Sequence, residues 1–350
     1  MAKRKVGRVI RVILVGTAMT LFFLFLLNME LVVYGLRQAK GQWRIIYQAV
    51  PIEEYLKRTD IPEERRAKLM YLDTVRNYAM SVLGLNKSGS YQDIFEQNGD
   101  TLMWVVTGCL PYALEEKTWV FPFTGEVPYK GYFDKPLALK EMEKIEQEGY
   151  EGAIRNPAGW STLGWFNDPI LSDMLNDTKG GIADLIIHEL VHATIFVKGE
   201  VDYNENLATF IGYEGTKKFL ADRYGTDSDT YREYIGVERD YRLFSEHILR
   251  GADYLRLLYD SLHEVEKVGE KERLKRQAME KIVNAMDTIN FYDKKYYHGI
   301  FEKVLPNNNL FMSFERYRSE QVVFNESFMK EYNSDIVGYI EAMKKMYEAK

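Results

Sequence analysis

The chain has 350 residues, 46% of them hydrophobic and 28% charged, with a net charge of −6 at pH 7; that length and balance suit one large core or two modest ones and exclude a disordered chain. Its densest basic run sits at the extreme N-terminus, so no basic stripe is left for a phosphate backbone and nucleic acid is excluded as a partner. The single cysteine, Cys109, excludes an internal disulfide and reads as a small core hydrophobe.

Lys3, Arg4, Lys5, Arg8 and Arg11 precede "VILVGTAMTLFFLFLLNM", eighteen residues without a charge. As a helix this run is about 27 Å long, close to a hydrocarbon core roughly 30 Å thick. The basic flank predicts an N-terminus that stays in the cytoplasm and a chain exported after Glu30. The run is long for a cleaved leader and no A-x-A site follows it, so an uncleaved transmembrane anchor is expected. Residues 1–36 are then tail and anchor, and 37–350 one exported domain.

Residues 37 to 85 carry charged, amphipathic helical text, with Pro62 placed for a helix start and Gly84 for its stop. From 90 to 133 the texture changes. "TLMWVVTGCLPY" and "KTWVFPFTGEVPYKGYF" are rich in β-branched and aromatic residues broken by Gly and Pro, which predicts a small antiparallel sheet. "KPLALKEMEKIEQEG" reads as a helix ended by Gly149, and "YEGAIRN" as a strand returning beside that sheet. The stretch 156–181, with Trp160, Trp165 and Phe166, has no clear period and reads as a long ordered loop. From about 227 onward helical text dominates.

Two of the five histidines lie four residues apart in "IADLIIHELVHATIFV". A helix stacks His188 and His192 one turn apart, able to converge on one ion. Glu189, about 100° round the helix from His188, stands beside that ion rather than on it. This is the HExxH arrangement, in which the intervening carboxylate works on water polarised by the metal. The surrounding helix is apolar on nearly every side, and two imidazoles and a carboxylate buried there without a metal would be desolvated and unpaired. Zinc in a hydrolytic site takes three protein ligands. "KGEVDY" supplies a turn, and "NENLATFIGYEG" reads as a second helix closed by Gly215. Glu205 in its first turn is the preferred third ligand, with Glu200 and Asp202 in the turn as competitors.

"HELVH" followed by "NENLA" resembles the gluzincin metallopeptidases, and "FPFTGEVPYKGYF", "STLGWFNDPILS" and "NNNLF" extend the resemblance to a bacterial family of zinc aminopeptidases over most of residues 30 to 345. The resemblance implies an α+β, predominantly α-helical, zincin-like domain with one Zn2+ per chain, held by His188, His192 and Glu205, with Glu189 as catalytic base. The gap between the two motifs is shorter than in the familiar gluzincin aminopeptidases, and their Gly-rich exopeptidase motif is not visible.

The expected chemistry is hydrolysis of a peptide bond by water that zinc acidifies, Glu189 taking the proton and later passing it to the leaving amine. Tyr213 and Tyr317 are the candidate donors to the developing oxyanion. Asp184, one turn before His188, and Asn204, beside the third ligand, are candidate supports. Glu151, Asp168 and Glu214 are conceivable partners for a substrate amine, and "YEGAIRN" could offer a strand edge to a peptide. The expected setting is the bacterial cytoplasmic membrane, single-pass, with the catalytic domain outside and a peptide as substrate.

Overall fold

The computed structural model describes residues 15, 16, 19, 29–121, 125–157, 167–318 and 320–348. The chain divides after Gln48. The first unit carries helix α1 (Met29–Gln48). Apart from Val15, Gly16 and Met19, the apolar run ahead of it lies outside the described residues, and so does the expected anchor. Among the described residues no helix is long and apolar enough to cross a membrane.

The second unit, Ala49–Lys350, is predominantly helical with small sheets. It opens with β1 (Val50–Pro51), one helical turn α2 (Ile52–Tyr55) and α3 (Glu63–Ser81). Pro62 directly precedes α3, where a missing N–H costs nothing, and Gly84 takes the chain out of it at φ 78°. β2 (Asp93–Phe95), β3 (Trp104–Cys109), β4 (Trp119–Phe121), β5 (Gly125–Val127) and β6 (Lys130–Tyr132) follow, then α4 (Lys135–Gln147), β7 (Glu151–Arg155) and β8 (Ile170–Leu171).

These strands build separate small sheets rather than one. β3 is the middle of an antiparallel sheet ordered β6-β3-β7, with Val106 opposite both Lys130 and Ile154. The expected return of "YEGAIRN" beside the sheet is therefore seen, with Gly149 turning the chain at φ 91°. β4 and β5 form a hairpin, and β1-β2-β8 a third sheet in which β2 and β8 run parallel. Glu141 on α4 fastens two of these pieces, accepting from Trp119 Nε1 at 2.8 Å, Lys130 Nζ at 3.0 Å and Tyr132 OH at 2.7 Å. The stretch 156–181 is less irregular than its composition suggests: β8 and a 3-10 turn, Ser172–Asn176, lie within it. Trp160, Trp165 and Phe166 lie outside the described residues.

The rest is helical: α5 (Lys179–His192), α6 (Val201–Tyr224), α7 (Asp229–Ser261), α8 (Val268–Ala285), α9 (Lys294–Gly299), α10 (Asn308–Arg318), α11 (Gln321–Glu331) and α12 (Ile336–Glu348). Thr178 caps α5 by accepting from the Gly181 N–H at 3.1 Å. α5 is the central element, packed by α3, α6 and α7, which is why it is apolar on all sides. Ile182, Ala183, Ile186, Ile187, Leu190 and Val191 are all buried. A second apolar core fills the space between α7, α8 and α10, around Phe244, Ile248, Leu255, Met279 and Phe311. Cys109 is a buried free thiol, as a small core hydrophobe should be.

One expected boundary is corrected. Gly215 does not close the second helix, which runs on to Tyr224 and stops at Gly225, φ 84°. A Cβ on Gly215 would stand 2.9 Å from Leu83 Cδ1 and 3.2 Å from Ile187 Cγ2. Gly215 is a packing glycine that lets α6 approach α5.

Candidate metal centre

α5 and α6 lie against each other with side-chain-free positions at the seam. A Cβ on Gly212 would fall 2.5 Å from Asp184 Oδ1 and 3.4 Å from His188 Cβ, so only glycine permits this approach. The close contact delivers Glu205 to the two histidines. Asn204 and Asn206 fix it from either side. Asn204 accepts from the Val197 N–H at 2.9 Å and donates to the Val197 carbonyl at 2.8 Å, locking the turn that joins the helices. Asn206, fully buried, donates to the carbonyls of Asp202 and Arg316, and accepts from the Glu320 N–H at 3.1 Å. Asn204 thus supports the ligand through the backbone, and Asn206 ties α6 to the chain's C-terminal helices.

The Nε2 atoms of His188 and His192 are 3.1 Å apart, and each is 3.5 Å from Glu205 Oε2. Four-coordinate zinc with bonds of about 2.0 to 2.2 Å holds its donors about 3.4 Å apart. One carboxylate oxygen equidistant from two imidazole nitrogens, at the outer limit of a hydrogen bond, fits a shared ion better than a pair of bonds. His188, His192 and Glu205 are the only such group of metal-competent side chains among the described residues. His192 is nearly sealed, at 6% exposure, while His188 and Glu205 keep 18% and 19%, so the set is reached from one side. The donor set fits a divalent metal ion.

Electrostatics here follow from burial and from the pairing. Burial is the largest effect on Glu205 and opposes its charge, yet the hydrogen bonds and charges of both histidines outweigh it and hold the carboxyl well below its ordinary range. Burial pushes His192 down, but Glu205 and then Glu189 reverse this and raise it. Glu189 is raised, first by burial, with Glu205 and Asp168 adding to it against the lowering charges of His188 and His192. Its Oε2 is buried and finds no hydrogen-bond partner among the described residues. A carboxylate oxygen sealed near the candidate ligands with no donor of its own can accept a hydrogen bond from a guest molecule.

The competing third ligands go elsewhere. Asp202 Oδ1 faces Arg316 Nε at 3.4 Å, and Glu200 stands just ahead of α6. Asp184 is not turned to the histidines; its Oδ2 accepts from Tyr234 OH at 2.9 Å, and burial, then Glu238, push it up to about 7. Tyr213 lies against Tyr234, ring centroids 6.0 Å apart, with Lys217 Nζ 4.9 Å from its own ring centre. Tyr317 is on α10, its side chain outside what is described. Of the three carboxylates considered for a substrate amine, Glu151 pairs with Lys275 and Glu214 with Lys217. Asp168 alone bears electrostatically on Glu189.

Tyr91 was not singled out from the sequence. It is 2% exposed and holds φ 63°, a backbone conformation costly for a bulky residue. Its N–H donates to the Asp168 carbonyl at 2.6 Å, and the Asp168 N–H donates to Ser90 Oγ at 3.0 Å. Burial raises the Tyr91 hydroxyl far above its ordinary value, with the charges of Glu189 and Asp168 adding to it. No periodicity or motif marks this loop, so one-dimensional text could not reveal it.

Neither the curated proteins nor the solved structures give a match to this chain. The model of the family described as "Putative aminopeptidase" matches residues 33–350, a span that contains every group of the metal centre. The chain belongs to that family and is, at this coarse level, a peptidase.

Proposed function

We propose that this protein is a zinc metallopeptidase of the gluzincin type, acting on the amino terminus of peptides. The observation that carries the reading is the convergence of two imidazole nitrogens and one carboxylate oxygen at 3.1 to 3.5 Å. His188, His192 and Glu205 would hold the ion, and two nitrogens with one oxygen is a donor set that zinc favours. When bound, the ion supplies Lewis acidity toward a water and toward a carbonyl oxygen. Glu189 takes a proton from the attacking water and returns it to the departing amine, a role its unpartnered, buried Oε2 leaves open. Asn204 and Asn206 keep Glu205 in register through the reaction.

The wider setting is part of the same proposal. Residues 12–29 anchor the chain in a bacterial cytoplasmic membrane with the N-terminus inside, and the zincin-like domain works outside. The substrate is a peptide, and family membership favours removal of its first residue.

Metal analysis and two substitutions test this reading. Purified protein should carry one equivalent of zinc, and Glu205→Ala should lose it. Glu189→Gln should keep the zinc and cut peptide hydrolysis by about 10²–10⁴-fold. Unchanged turnover in Glu189→Gln removes the enzymatic role and leaves a metal that serves structure. Equal cleavage of free and acetylated peptides would reassign the enzyme as an endopeptidase.

A further inference from the structure

Helix α1 has two opposed faces. Tyr34, Gln38 and Gln42 are half-buried and Ile45 is fully buried, and at 100° per residue they share one side. On the other side Met29, Val33, Leu36, Trp43 and Tyr47 fall within about 80° of arc and stay 37% to 78% exposed. The rings of Trp43 and Tyr47 stack within that stripe, centroids 6.5 Å apart and planes 12° from parallel. An apolar stripe of five large side chains is more than scattered surface hydrophobes require an explanation for, and its pattern calls for a partner.

Its charges indicate which partner. Arg37, Lys40 and Arg44 lie in or beside the stripe and are exposed. The one acidic residue of the helix, Glu30, lies in its first turn, about 100° round from Met29. We propose that this face lies on the surface of an anionic lipid bilayer, its apolar side chains in the boundary between headgroups and acyl chains and its cations among the phosphates. Tryptophan and tyrosine favour that depth, and arginine and lysine can bury their stems there while their heads reach the anions. This orientation accords with the proposed anchor, whose uncharged run ends at Met29. A second copy of the chain fits less well. Packing the stripe on itself in register would oppose Lys40 to the same lysine, a repulsion that the single acidic residue of the helix, Glu30, ten residues away, does not relieve. The surface is independent of the peptidase activity.

The test uses the full chain in vesicles. Cys109 is buried, so single cysteines can be introduced by Leu36→Cys or Trp43→Cys on the stripe and by Gln38→Cys on the opposite side. Each is labelled with an environment-sensitive fluorophore, in phosphatidylcholine vesicles with and without phosphatidylglycerol. At positions 36 and 43 the emission should shift to the blue and be quenched severalfold more strongly by brominated lipid than at position 38. Replacing Arg37, Lys40 and Arg44 together by glutamine should abolish the difference between anionic and neutral vesicles. Labels at 36 and 43 that aqueous iodide reaches and brominated lipid does not would overturn the proposal. So would a disulfide between copies at either position in place of lipid quenching, which would give the face to a second copy. No peptide enters the readout, so its failure is separable from failure of the proposed activity.

Discussion

Asn204, Glu205 and Asn206 divide the task of fixing one carboxylate, and the two amides do it by different routes. Asn204 holds a single turn, whereas Asn206 joins segments more than a hundred residues apart. Asn206→Leu keeps the volume and leaves the Arg316 carbonyl and Glu320 N–H unsatisfied, a loss of about 2–4 kcal/mol, since each orphaned buried group costs about 1–3 kcal/mol. Denaturant unfolding should report that loss together with weakened metal binding; an unchanged midpoint would show that the amide is dispensable. Asp184 offers a pH test. Its folded carboxyl is raised to about 7 by burial, Glu238 and Asp177, against Tyr234 and Arg318. The unfolded chain ionises it near its ordinary value, so the folded state binds more protons between the two, and stability falls as pH rises across that window. Asp184→Asn removes the fall. Relative to wild type it should gain a few kcal/mol between pH 4 and pH 8, since each pH unit between the two values is worth about 1.4 kcal/mol. Parallel stability curves for the two proteins would show that burial imposes no such cost.

At the scale of elements, the candidate metal centre depends on how closely α5 and α6 approach. Gly212→Ala should push the helices apart, because the new methyl meets a carboxylate oxygen and two further atoms that α5 holds in place. The expected cost is about 1–3 kcal/mol, with metal affinity falling because Glu205 withdraws from the histidines. Gly215→Ala meets only side-chain ends of Leu83 and Ile187, which can shift, so it should cost less in both readouts. Calorimetric unfolding of the two variants and their zinc affinities check the order. These glycines also show where sequence reading runs out. A glycine near the end of a periodic stretch looks the same whether it stops a helix or seats one, and only the neighbouring helix decides. The start of α3 after Pro62 and the turn at Gly149 were legible because they are set by local backbone chemistry.

At the scale of the whole molecule, the histidine pair was legible because helical periodicity alone stacks residues four apart, and the mainly helical character was legible in the amphipathic text. The division of the strands into separate sheets was not, since pairing depends on contacts distant in sequence. That Glu189 bears electrostatically on Tyr91, and Asp168 on Glu189, was hidden for the same reason. The C-terminal helices read as generic helical text, yet α10, α11 and α12 complete the packing of α6. Phe210 of α6 lies against Phe324, Phe328 and Tyr339, with ring centroids 5.5 to 5.9 Å apart. A chain ended after Arg318 should therefore lose zinc binding though every candidate ligand is present, as elemental analysis of the truncated protein would show; full retention would contradict the role given to Asn206.

That long-range brace has a temporal meaning. Translation produces the two histidines and Glu205 well before the segment around Glu320 that steadies them, so a growing polypeptide should not complete the centre until that segment has emerged. Any competence of the centre should therefore wait on that later segment, and a single cut between Arg318 and Glu320 should withdraw it.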